Sequence, residues 1–170
     1  AKNESRTTSI RHGFVIAGGG DGGPLFDKRS RRETAEIDLA VEHVLKHSGA
    51  PYQVIPFVPY GYDERQYCSP GFNLPVGALR RTPHGQFPEY HTSADNLEFV
   101  KAQHLSQTLR VYLSVIGLLE GNQRYMNLNP KCEVQLGKRG LYRSTGGHID
   151  QPLNEAALFW VLNLSDGEHS

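Results

Sequence analysis

The chain has 170 residues, 38% of them hydrophobic, which is enough for one domain with a real core. Eighteen Lys and Arg balance eighteen Asp and Glu, so no global field draws the protein to nucleic acid or to an anionic membrane, and any partner has to be recognised locally. Apolar runs such as Val15 to Ala17 and Ala156 to Leu162 fall far short of the ~20 residues a membrane span needs, and no signal peptide is legible at the N-terminus.

Residues 12 to 17, HGFVIA, form a short apolar run ended by glycines and read as a buried strand. KRSRR, residues 28 to 32, reads as a solvated basic loop, with anion binding as the alternative. Ser30 followed by Glu33 has the form of a capping box, and Ile37, Val41, Val44 and Leu45 then recur at helical spacing until Gly49. His43 and His47 fall on the exposed side of that helix. YQVIPFV, residues 52 to 58, reads as a second strand that Pro56 places at an edge or ends early. LPVGALR, residues 74 to 80, reads as a third.

Leu105, Leu109, Tyr112, Leu113, Ile116 and Leu119 mark a long helix ended by Gly121, with this face expected against the sheet. Strand, helix, strand, strand, helix gives an α/β layered domain over 1–121. Residues 122–153 read as an irregular arm, and 154–170 as the start of a further helical segment that exposes Phe159 and Trp160 unless more chain covers them. Both ends look cut, so the chain is expected to be a piece of a longer polypeptide. Cys68 and Cys132 lie far apart with no secretory signal, so reduced thiols and a cytoplasmic location are expected.

The run VIAGGGDGGPLF, residues 15 to 26, contains the spacing of a dinucleotide loop. No apolar period follows to form the helix such a loop needs, and Asp38 falls inside a helix instead of at a strand end. No Gly-Lys-Ser/Thr follows either, so nucleotide binding is not expected. What remains is the carboxylate of Asp21 at the C-terminal end of a strand, among glycines that permit close approach; a turn in which Asp21 caps its own backbone is the structural alternative. Two loops rich in polar groups accompany it, YGYDERQYCSPGF at 60 to 72 and FPEYHTSADNLEF at 87 to 99.

YHTSADNLEFV resembles the last metal-ligand motif of the co-catalytic zinc aminopeptidases, the group that includes leucyl aminopeptidases and glutamate carboxypeptidase II. DERQYCSPGF, between a strand and LPVGAL, is similar to their pocket loop, and the strand ending in Asp21 resembles the one whose terminal Asp is a zinc ligand. A bacterial branch of aminopeptidase-like domain proteins with a C-terminal winged-helix extension is closer still. PYGYDERQYCSPGFNLPVGALRRTPHGQFPEYHTSADNL, YMNLNPK, QLGKRGLYR and WVLNLSDGEHS all resemble it.

The resemblance implies the C-terminal part of a three-layer αβα zinc-exopeptidase-like mixed sheet, with a winged helix beginning downstream. It implies His91 on one zinc and Asp21 on the other, with two ions about 3.5–4 Å apart in the full-length protein activating a shared water. Tyr90 would serve the oxyanion or the substrate, and Asp63 would orient His91 or the substrate amine. Asp95 would hold the His91 loop. Tyr62, Glu64 and Arg65 line the substrate side; Glu64 and Arg65 depart from the relatives' Ser-Asp-His form, and Arg65 either meets a substrate carboxylate or pairs with Glu64 or Asp63.

The relatives' upstream His-x-Asp motif, bridging Asp and adjacent acid pair are missing before Asp21, and His148-Ile149-Asp150 has the right letters in the wrong place. The chain alone is therefore expected to bind zinc weakly or not at all and to be inactive. Two functions are implied. One is a zinc-dependent exopeptidase acting on an N-terminal peptide or amide bond of a peptide or small amide, as a monomer or homo-oligomer. The other is a non-catalytic peptidase-like binding or regulatory protein whose winged helix, beyond the C-terminus, contacts DNA or protein.

Overall fold

The computed structural model describes residues 4–132, 134–141 and 155–169, in two compact units, Ala1–Glu120 and Gly121–Ser170. The first unit runs α1 (Glu4–Thr7), β1 (Gly13–Ile16), β2 (Leu25–Lys28), α2 (Glu36–His47), β3 (Tyr52–Ile55), α3 (Glu64–Tyr67), β4 (Val76–Arg80) and α4 (Ala102–Gly121). The strands lie in the order β1-β4-β2-β3. β4 is parallel to β1 and antiparallel to β2, while β2 is parallel to β3, so the sheet is mixed. β3 is an edge strand that stops one residue before Pro56, where a missing N–H and a restricted preceding residue end a ladder.

β2 corrects part of the reading of residues 28 to 32 as a solvated loop: Arg31 and Arg32 are exposed as expected, but Ser30 is buried and Lys28 ends a strand. All four of its residues are buried, because it lies between β4 and β3. Phe26 stands opposite Arg80, Asp27 opposite Leu79 and Lys28 opposite Ala78. Strand alternation then sorts the faces. Leu25 and Leu79 join Ile37, Ala40, Val41 and Leu45 of α2 and Val111, Tyr112 and Val115 of α4 in one core cluster, each fully buried aliphatic or aromatic side chain contributing about 1.5–3 kcal/mol.

Phe26, Lys28 and Arg80 face the other way, toward the 56–75 loop and α3, which Lys28 meets through Glu64. The architecture is thus a mixed α/β domain. Both long helices share one face, and a loop with a one-turn helix closes the second, where the three-layer expectation asks for helices on both.

The start of α2 also differs from expectation. Glu33 has φ 58°, a left-handed conformation through which no helix can run, so the helix begins after Ala35. The capping carboxylate is Asp38, which accepts the Ala35 N–H at 3.0 Å, the Ser30 N–H at 2.6 Å and the Ser30 hydroxyl at 2.7 Å. His43 and His47 are exposed as expected, with ring centres 4.6 Å apart.

Helix α4 has the expected extent but another rotation. Thr108, Val111, Tyr112 and Val115 are its buried residues, while Leu105, Leu109, Leu113 and Ile116 are 45–57% exposed. Polar anchors select this face. The Thr108 hydroxyl sits 2.8 Å from the Gly19 carbonyl and accepts from Arg81 Nε at 2.8 Å. Tyr112 donates its hydroxyl to the Leu79 carbonyl at 2.9 Å, and burial pushes that phenol up to about 12.

In the second unit a 3₁₀ turn covers Leu136–Arg139 and ends at Gly140, whose φ is 65°. Helix α5 covers Glu155–Leu164 and keeps Trp160 and Val161 63% exposed; an antiparallel bridge pairs Met126 with Asp166. His148-Ile149-Asp150 and much of the expected arm lie outside the described residues. Cys68 and Cys132 are free thiols. Among the described residues no helix is long and apolar enough to cross a membrane.

Candidate substrate and metal site

The glycine run makes a tight cradle for Asp21. After β1 the chain turns at Gly18, with φ 55°, and Lys101 donates its N–H to the Gly20 carbonyl at 2.9 Å. A Cβ on Gly20 would collide with Val100, so only glycine passes beneath the start of α4. The run leads into β2 instead of a helix, so it offers no helix N-terminus to a phosphate. Asp21 is 5% exposed. Its Oδ1 accepts the Gly23 N–H at 2.8 Å and the Thr82 hydroxyl at 2.6 Å, while Oδ2 has no hydrogen bond to any described residue.

The local turn and the longer-range tie to Thr82 therefore coexist. A Cβ on Gly23 would overlap the Thr82 hydroxyl and crowd Asp21. Gly23→Ala should cost about 1–3 kcal/mol in denaturant melts, as other overpacked sites do, and a variant as stable as the parent would show that the cradle yields freely.

A second cluster forms on the face opposite α2 and α4. The Tyr62 and Tyr90 hydroxyls are 3.4 Å apart, and burial, then the Tyr90 hydrogen bond, raise the Tyr62 pKa. His84 lies among the rings of Tyr60 (5.3 Å), Tyr62 (5.6 Å) and Tyr90 (6.1 Å). Arg80 Nη1 donates to His84 Nδ1 at 3.1 Å, which requires that nitrogen to be unprotonated. Burial, then the Arg80 charge, lower the His84 pKa, in the same sense.

Below this, Lys28 Nζ donates to Glu64 Oε1 at 2.5 Å and to the carbonyls of Tyr60 at 2.6 Å and Val58 at 3.2 Å. The Tyr62 N–H donates to both Glu64 oxygens, at 3.0 and 3.1 Å.

The structure thus brings Tyr62, Tyr90 and His91 together: His91 is exposed, has φ 57° and stacks on Tyr90 at 4.0 Å between ring centres. Glu64, expected to face substrate, is instead 0% exposed and committed to Lys28, because a carboxylate this deep needs a counter-charge. Asp63 and Arg65 are exposed at the start of α3. Among the described residues neither pairs with the other or with Glu64, and no hydrogen bond joins Asp63 to His91. Asp95 is exposed as well, and the side chain that caps its turn is Asn96, whose Oδ1 accepts the Glu98 N–H at 2.8 Å.

Asp21 makes no hydrogen bond to the tyrosine cluster, but one short segment serves both. Thr82 holds Asp21, and Arg80 and His84, two residues to either side, sit among the tyrosines. Two residues span at most about 7 Å of chain.

Asp21, with one oxygen anchored and the other free, is an oriented donor, and His91 is an accessible one. Zinc in a catalytic site takes three protein ligands and leaves a fourth position open. Among the described residues no three His, Cys, Asp or Glu side chains are grouped to hold a metal ion. Two donors do not by themselves fit zinc. Sequence reasoning missed Lys28, Tyr60, Arg80 and His84; the legible signal was the basic residue ending the apolar strand VGALR.

This geometry defines an α/β domain with a buried carboxylate, not at a strand end but in the bend five residues past β1, which Thr82 ties to an aromatic and cationic cluster, followed by a smaller unit. The chain belongs to the family described as "Domain of unknown function (DUF4910)", matched over residues 1–122, and residues 123–170 match a winged helix-turn-helix. That match begins at residue 123, ahead of the expected start of a winged-helix-like segment at 154–170. A relative from Clostridium acetobutylicum, "Putative polysaccharide biosynthesis protein with aminopeptidase-like domain", is 51% identical over 170 residues, covering 100% of this chain and 39% of the relative. A crystal structure of a "putative peptidase" from Clostridium acetobutylicum superposes with a TM-score of 0.84 at 47% identity, over 99% of this chain and 37% of that one. The chain spans well under half the length of either.

Proposed function

We propose that the whole protein is a zinc-dependent exopeptidase of the aminopeptidase type, hydrolysing an N-terminal peptide or amide bond. In this reading the present chain supplies Asp21 and His91 as metal ligands, the remaining ligands and the general base lying outside the described residues. Tyr90 and Tyr62 present hydroxyl donors to substrate and to a developing oxyanion. Asp63, exposed at the head of α3, receives the substrate amine. Glu64 acts through another group: its carboxylate orients Tyr62 by holding the Tyr62 N–H. The observation that carries the reading is the segment from Arg80 to His84, which ties the Asp21 cradle to the wall on which His91 stacks.

His91→Ala in the full-length protein is expected to reduce release of N-terminal residues from short peptides by about 100-fold or more, beyond the ~10–100-fold typical of losing an outer partner of a ligand. Bound zinc should fall with it. Because His91 is exposed, stability should stay within about 0.5 kcal/mol. Unaltered turnover in this variant rejects the assignment.

The match of residues 123–170 to a winged helix-turn-helix favours a second activity, binding of nucleic acid by that unit. If the first unit is non-catalytic, the full-length protein is a ligand-responsive regulator. Metal analysis separates the two, since about two tightly held zincs belong to the hydrolase.

A further inference from the structure

Arg80 ends β4 and is 6% exposed. Its guanidinium carbon lies 5.2 Å from the Phe26 ring centre and 5.1 Å from that of Tyr62. A guanidinium carries five N–H donors. Among the described residues Arg80 donates to His84 Nδ1 and also acts by hydrogen bonding on the Tyr62 hydroxyl, while Nε is buried with no partner. Among the described residues no carboxylate pairs with Arg80, and the acid beneath the cluster, Glu64, is already committed to Lys28. Lys28 and Glu64 cancel and His84 accepts at Nδ1, so the cluster carries one uncompensated positive charge, of a kind that costs several kcal/mol to bury without a partner.

We propose that Arg80, His84, Tyr62 and Tyr90 bind a carboxylate of the substrate, so that the preferred substrates are peptides or amides bearing a free carboxylate group. This deepens the hydrolase reading and rests on it. The planar fork of Arg80 matches the two oxygens of a carboxylate. His84, with Nδ1 occupied by Arg80, presents its Nε2–H, and the two tyrosine hydroxyls, 3.4 Å apart, complete the donors. Charge decides between anions. A single positive charge matches a carboxylate, whereas a doubly charged phosphate would leave excess negative charge beside a lysine that is already neutralised.

The test is made on the full-length protein, with calorimetry for binding and product release for turnover. Glutarate should bind, and neutral glutaramide should bind about 10- to 100-fold more weakly, the range expected for losing a charged hydrogen bond. Arg80→Gln should weaken glutarate by a similar factor. Tyr62→Phe and His84→Gln, at half-buried positions, should each weaken it several-fold, and they decide the matter if Arg80→Gln does not fold. Equal binding of glutarate and glutaramide, or parental affinity in the variants that fold, overturns the site. Stronger binding of inorganic phosphate than of glutarate overturns the choice of anion.

Alanyl-glutamate should be hydrolysed faster than alanyl-glutaminamide. Glutarate binding without hydrolysis of either dipeptide removes the hydrolase reading and leaves the anion site. Equal hydrolysis of both without glutarate binding does the reverse.

Discussion

Replacing Lys28 with alanine should lower the stability of the α/β domain by about 3–5 kcal/mol, the usual cost of stranding one member of a buried ion pair. The side chains of Lys28 and Glu64 are 2% and 0% exposed, so solvent cannot take over the role of either. Three acceptors surround the ammonium: the Glu64 carboxylate and the carbonyls of Tyr60 and Val58. Removing the lysine leaves two carbonyls without that donor and a buried carboxylate with no counter-charge, its remaining donor being the Tyr62 N–H. Lys28→Met combined with Glu64→Leu should be less damaging than Lys28→Ala, because the buried charge is gone and apolar volume fills the space. The two carbonyls would still lack a donor, so recovery should be incomplete.

A double-mutant cycle from urea melts checks this; a Lys28→Ala cost below about 1 kcal/mol would mean that water reaches the pair. The loop that Lys28 holds carries Tyr60 and Tyr62, so the pair also sets the shape of the aromatic wall.

What the sequence hides here is buried charge. β1, β3 and β4 are legible as apolar runs bounded by turn residues, and α2 by its period. β2 is not, because Asp27 and Lys28 make half of a four-residue strand look like a surface, and the partner that keeps Lys28 charged in the interior, Glu64, is hidden by distance along the chain. In α4 apolar residues occur on nearly every side, so periodicity locates the helix but cannot choose its face. That choice falls to Thr108 and Tyr112 through bonds to Gly19 and Leu79. At the site, Asp21, Tyr90 and His91 stand in recognisable strings, whereas Arg80 and His84 acquire meaning only when the 60–62 loop folds over them.

Asp27→Asn should stabilise the domain increasingly as pH rises from about 4 to about 8. Asp27 is 2% exposed, and its Oδ2 has no partner among the described residues. Burial first, and then the neighbouring Asp38, push its pKa from 3.8 to about 8, against a smaller opposing effect of Arg29. A carboxyl whose pKa is raised by folding binds its proton more tightly in the native state. Its contribution is therefore fully present below pH 4, is lost progressively as the unfolded chain ionises and the native one does not, and is gone above pH 8.

Asparagine does not titrate, so the gap between variant and parent should open by about 1.4 kcal/mol per pH unit across that window and level off above it, reaching several kcal/mol as an upper limit. Denaturant melts at pH 5, 7 and 9 measure the gap. A constant difference across the three would show that Asp27 ionises in the folded protein as readily as in the unfolded one. A widening one would locate a neutral carboxyl at the centre of the sheet, on the face opposite the Lys28–Glu64 pair, so that one strand carries a charge kept by a partner on one side and a charge suppressed by burial on the other.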